Sequence, residues 1–75
     1  MIKAKIIYTA AGKDDELVSE LFTKENITVK KIRNKGTFDK KATVLFNSTT
    51  EMNAFVENAK RVCEFPVTIS KFKEI

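Results

Sequence analysis

The chain has 75 residues, with 14 Lys and Arg against 10 Asp and Glu for a formal charge of +4, one cysteine and no histidine. A lone cysteine forms no intramolecular disulfide, and without histidine the Cys/His ligand set of a structural zinc is missing, so stability must come from packed apolar side chains. No run of apolar residues is long enough for a membrane helix, and Met1–Ile7 lacks the apolar region of a secretory signal. The expectation is one cytoplasmic domain over residues 1–75, with no cofactor, no metal and no membrane partner.

Residues 2–8 read as a strand, because Ile2, Ala4, Ile6 and Tyr8 alternate with Lys3, Lys5 and Ile7 at a period of two. Ala10-Ala11-Gly12-Lys13 ends it. From Asp14 the period lengthens, and Leu17, Val18, Leu21 and Phe22 form one helical stripe. Asp14, Asp15 and Glu16 fill the first turn, where negative charge complements the helix dipole, and Asn26 marks the stop. Residues 27–34 form a second strand whose alternation slips between Val29 and Ile32, the sign of a bulge at Lys30–Lys31.

Asn34 to Asp39 turns the chain, and Lys40 to Asn47 is a third strand with Ala42, Val44 and Phe46 on one face. Ser48, followed three residues later by Glu51, makes a capping box ahead of Met52, Phe55, Val56 and Ala59 at helical spacing. A last strand is expected from Phe65 to about Lys73, with Pro66 near its start, where a missing donor is tolerated.

The order β-α-β-β-α-β with short connections predicts an α+β two-layer sandwich on the ferredoxin-like plan. Its four-stranded antiparallel sheet carries two helices on one face, with the first and third strands central. Ile6-Ile7-Tyr8-Thr9 ahead of a helix resembles the start of glutaredoxins, whose thioredoxin-like fold is the alternative. That fold needs a helix between the second and third strands, where this chain has a hairpin, and its C-x-x-C is missing.

Catalytic signals are sparse. Histidine, the usual base near neutral pH, is absent. The acidic cluster at Asp14–Glu16 is accounted for by dipole compensation. Cys63 follows the second helical stripe, where the helix C-terminus opposes thiolate formation, and reads as core filler. The loop Thr9–Lys13 has one glycine where a phosphate loop needs two and a Gly-Lys-Ser/Thr ending. A non-enzymatic protein is expected.

Charge layout is the suggestive feature. Lys3, Lys5, Lys30, Lys31, Arg33, Lys35, Lys40, Lys41, Lys71 and Lys73 lie on strands or the central hairpin, whereas seven of the ten acids lie on the helices or their starts. The candidate partner-binding residues are Lys3, Lys5, Lys30, Lys31, Arg33, Lys35, Phe38, Lys41, Thr43 and Leu45, with Ile7 and Phe72 as apolar neighbours on the open sheet face. Ala42 to Ser48 resembles the end of the third-strand motif of RRM domains, which share this topology and bind nucleic acid on the open sheet. The resemblance covers only those residues, and the outward positions Thr43 and Leu45 are not the aromatics that stack on bases.

The expected function is therefore a small binding module that recognises a protein partner, or a second copy of itself, through the basic face and the 34–41 hairpin. Weak nucleic-acid binding without sequence preference on the same face is the alternative. A bland role as a solvated sheet face with guarded edges competes with both.

Overall fold

Alternation along β1 (Ile2–Thr9) puts Ile2, Ala4, Ile6 and Tyr8 on one side, and in the computed structural model, which describes residues 1–75, all four are buried. The remaining elements are α1 (Asp14–Lys24), β2 (Thr28–Asn34), β3 (Asp39–Phe46), α2 (Thr49–Val62) and β4 (Thr68–Glu74). They form one antiparallel sheet in the order β2-β3-β1-β4, with both helices on one face. This is the expected ferredoxin-like sandwich. No helix is long and apolar enough to cross a membrane.

The core fills the space between the helices and the two central strands. Val18 and Phe22 of α1 and Met52, Phe55, Val56 and Ala59 of α2 meet Ala42, Val44 and Phe46 of β3. Phe22 stacks on Phe55 at 5.2 Å between ring centroids, and Phe46 tilts against Phe55 at 5.7 Å. Full burial of such side chains is worth roughly 1.5–3 kcal/mol each, which makes this cluster the main source of stability.

Helix ends follow their local chemistry. Asn26 takes a left-handed φ of 54° after α1, and the N–H of Ile27 donates to the Phe22 carbonyl while that of Asn26 donates to Thr23. Those two bonds, with buried Ile27 against buried Phe22, make a Schellman stop. At α2 the Ser48 hydroxyl accepts from the Glu51 N–H at 3.1 Å. The Glu51 carboxylate reaches back to the backbone and side chain of Asn47 rather than to Ser48 itself. The capping box is thus present, shifted by one residue in its return bond.

Two expectations, the start of the last strand and the face of Phe72, need correction. The last strand begins at Thr68, not Phe65. The N–H groups of Glu64 and Phe65 instead donate to the two carboxylate oxygens of Asp14, at 2.9 Å each, and Pro66 has no donor to offer a ladder. Lys40 pairs with Tyr8 in the ladder and therefore lies on the helix side, where its ammonium meets Asp15 at 2.9 Å. Phe72 stands opposite buried Ala4, so it too lies on the helix side and not on the open face. It stays half-exposed because the helices cover the central strands and leave the edges bare.

Candidate functional site

Register assigns the open face residue by residue. The strand neighbours across it are Thr28–Leu45–Lys3–Lys73, then Lys31–Thr43–Lys5–Lys71, then Arg33–Lys41–Ile7–Thr68. Three directly opposed pairs are therefore cation against cation: Lys3 with Lys73, Lys5 with Lys71, and Arg33 with Lys41. Like charges in directly opposed positions destabilise a sheet. The only carboxylate this register places on the face is Asp39 at the hairpin end, whose oxygen accepts from the Thr9 hydroxyl at 3.4 Å.

The bulge read from the sequence is present. Val29 pairs with Val44 and Lys31 with Thr43, leaving Lys30 as the extra residue. A bulge re-aims side chains, and here Lys30 and Lys31 both line the same hollow. A second bulge, not anticipated, lies in β4: Lys5 faces Lys71 while Ile6 faces Ile69, so Ser70 is unpaired.

The hollow has a volume of about 540 Å³ and is lined by Lys3, Lys5, Lys30, Lys31, Arg33, Asn34, Lys35, Lys41 and Thr43. Seven of those nine carry positive charge, and none is acidic or apolar. The two ion pairs of the molecule are Met1–Glu74 and Lys40–Asp15, so no cation of the hollow is neutralised by a carboxylate. Its floor is half-buried Lys3, Lys5, Lys41 and Thr43; Lys30, Lys31, Arg33 and Lys35 are exposed around it. A smaller hollow of about 130 Å³ on the far side of β1 is lined by Lys3, Lys5, Lys71, Phe72 and Lys73.

Eight of the ten candidate residues thus converge. Leu45 shares the face but sits beside the hollow, opposite Lys3 and Thr28. Phe38, at 64% exposure, occupies the hairpin turn and does not line it. The sequence reading omitted Asn34, Lys71 and Lys73 from the candidate site. For Lys71 and Lys73 the signal was available, since they repeat the spacing of two shown by Lys3 and Lys5.

The titratable groups shifted by their surroundings lie elsewhere. Burial, aided by the Asp15 carboxylate, pushes the Tyr8 phenol up to about 12. Burial and then the Asp14 carboxylate raise the Cys63 thiol at the C-cap of α2. Neither group opens onto the hollow. Both shifts favour the proton-bound form, the opposite of what a nucleophile requires.

Comparison with protein families and with curated proteins finds no match. Among solved structures the fold is similar to the ACT domain from GTP pyrophosphokinase of Chlorobium tepidum. The TM-score is 0.70 and the identity 12%, over 92% of this chain and 96% of that one. ACT domains have the ferredoxin-like fold, and a likeness at that identity concerns the fold alone.

Proposed function

We propose that this protein is a non-catalytic binding module for the phosphodiester backbone of nucleic acid, held on the open sheet face without reading base sequence. One observation carries the reading: seven unpaired cations line one hollow with no acid among them, over a sheet that sets like charges directly opposite one another. Phosphate attraction is electrostatic and sequence-independent, and it needs only such an array.

Two features put a protein partner second. Protein interfaces are enriched in aromatic residues and arginine and depleted in lysine, whereas the hollow carries six lysines, one arginine and no aromatic or apolar residue. Self-association through a sheet edge would bring together copies of Lys30, Lys31 and Arg33 at β2, or of Lys71 and Lys73 at β4. Like-charge juxtaposition costs several kcal/mol at an interface. Base-specific readout is not supported, because no open-face position of the register is aromatic and no aromatic lines the larger hollow.

The test is anisotropy titration of labelled oligonucleotides across a salt series, with polyglutamate as competitor. Engagement of all seven cations gives a log K against log salt slope of about −5 for single strands. Affinity independent of base composition is expected. Absence of binding at low salt overturns the reading, as does equal binding of polyglutamate, which would assign the face to an acidic protein.

A further inference from the structure

Lys3 and Lys5 line both hollows, one on each side of β1. The larger hollow reaches outward over β3 and β2, the smaller over β4, so the two adjoin at the central strand with Lys3 and Lys5 between them. One row of positive charge crosses the whole face. Across the strands it continues from Lys31 through Lys5 to Lys71, the row broken only by neutral Thr43. Along β3 it stops at Leu45 one way and at Asp39 the other.

From this continuity we infer that the two hollows are one path, and that its occupant is a single nucleic-acid strand lying across the β-strands from β2 to β4, with Lys71 and Lys73 as its far end. The inference rests on the backbone-binding reading above and adds the strandedness, the orientation and two binding residues.

Four strands spaced about 4.8 Å apart give a crossing of roughly 14 Å, short enough for one flexible chain. The floor of the path decides the strandedness. Lys3, Lys5, Lys41 and Thr43 are half-buried below exposed lysines. A single strand can settle onto that floor phosphate by phosphate. A duplex is rigid and convex, touches only the rim, and leaves the floor cations hydrated.

The experiment pairs oligonucleotide length with neutralisation of the far end. Wild-type protein and K71Q/K73Q are titrated with single strands of about 2 and about 12 nucleotides, and with a duplex of the longer length, across a salt series. The longer strand should bind wild type more tightly than the duplex does. Its salt slope should fall in magnitude by about 1.4 in K71Q/K73Q, at 0.7 per lost phosphate contact, while the short strand keeps its slope. Thermal melting by circular dichroism verifies that the variant is folded.

If the short strand binds and the longer strand's slope is unchanged in K71Q/K73Q, the path is overturned and the backbone reading stands. Duplex binding as tight as single-strand binding overturns the strandedness alone. If no nucleic acid binds at low salt, the path and the reading fall together.

Discussion

Lys5 of β1 stands directly opposite Lys71 of β4, cation to cation, with no carboxylate paired to either. Opposed like charges cost a sheet a few tenths of a kcal/mol up to about 1, whereas opposite charges contribute a similar amount. A face optimised for stability alone would not repeat this arrangement at Lys3–Lys73 and Arg33–Lys41. The repulsion is the expected companion of a surface kept positive for a ligand.

The variant K71E turns that repulsion into attraction. It should stabilise the fold by about 0.5–1 kcal/mol, a rise in melting temperature of roughly 2–8 °C for a domain of this size. The same variant should bind single-stranded oligonucleotides more weakly than wild type. Added salt should raise the wild-type melting temperature more than that of K71E, because screening relieves a repulsion that the variant lacks. Equal salt responses would show that the Lys5–Lys71 pair does not repel.

A second prediction concerns the carboxylate that closes the loop after α2. Asp14 is 3% exposed, and its oxygens accept the N–H groups of Glu64 and Phe65, some 50 residues away in sequence. Asp14→Ala strands two donors in a half-buried site, at a cost of about 2–4 kcal/mol. Asp14→Asn keeps one acceptor oxygen and should cost less. Urea melts should rank wild type above D14N above D14A, with faster amide exchange at Glu64 and Phe65 in D14N. An unchanged midpoint in D14A would remove this latch from the account of stability.

Much of this architecture was legible because the signals are local. Period-two alternation in β1 and β3 placed Ile2, Ala4, Ile6, Ala42, Val44 and Phe46 in the core. Asn26 and the Ser48–Glu51 pair announced the helix ends. The errors came from relations between distant segments. Nothing near Phe65 reveals that Asp14 takes its N–H, and only the ladder against Ala4 places Phe72 on the helix side. The hollow itself was half legible: its lysines could be read, but their convergence from three strands needed the register, as did the link through Lys3 and Lys5 to β4.

Tyr8 gives a third prediction. Its hydroxyl is buried and has no hydrogen-bond partner, a loss that phenylalanine would not suffer. Tyr8→Phe should therefore stabilise the protein by about 1 kcal/mol at neutral pH. The alkaline limb follows from the phenol being pushed up to about 12 in the folded state. An unfolded tyrosine ionises near pH 10, so above that pH the native state holds the extra proton and stability falls as pH rises. This contribution, up to about 3 kcal/mol, is intact below about pH 10 and gone by about pH 12. Wild type should lose more stability than Y8F over that interval in denaturant melts. Parallel curves would mean that the phenol is not shielded.

The last prediction uses Cys63 as a reporter. Its thiol is half-buried, packs against the core, and is raised first by burial and then by the Asp14 carboxylate. Because the thiolate is the reactive form, a raised thiol is a slow nucleophile at neutral pH. Alkylation with iodoacetamide near pH 7.5 should run several-fold slower in native buffer than in urea, where burial and carboxylate are both lost. Asp14→Asn removes the second cause and loosens the loop beside it, so its native-state rate should lie between those two. Charge and access separate by pH. If only access matters, the rate in D14N will keep the wild-type pH profile at a higher level. If the carboxylate acts on the thiol, the profile will shift toward lower pH, and a profile that does neither removes Asp14 from the control of Cys63.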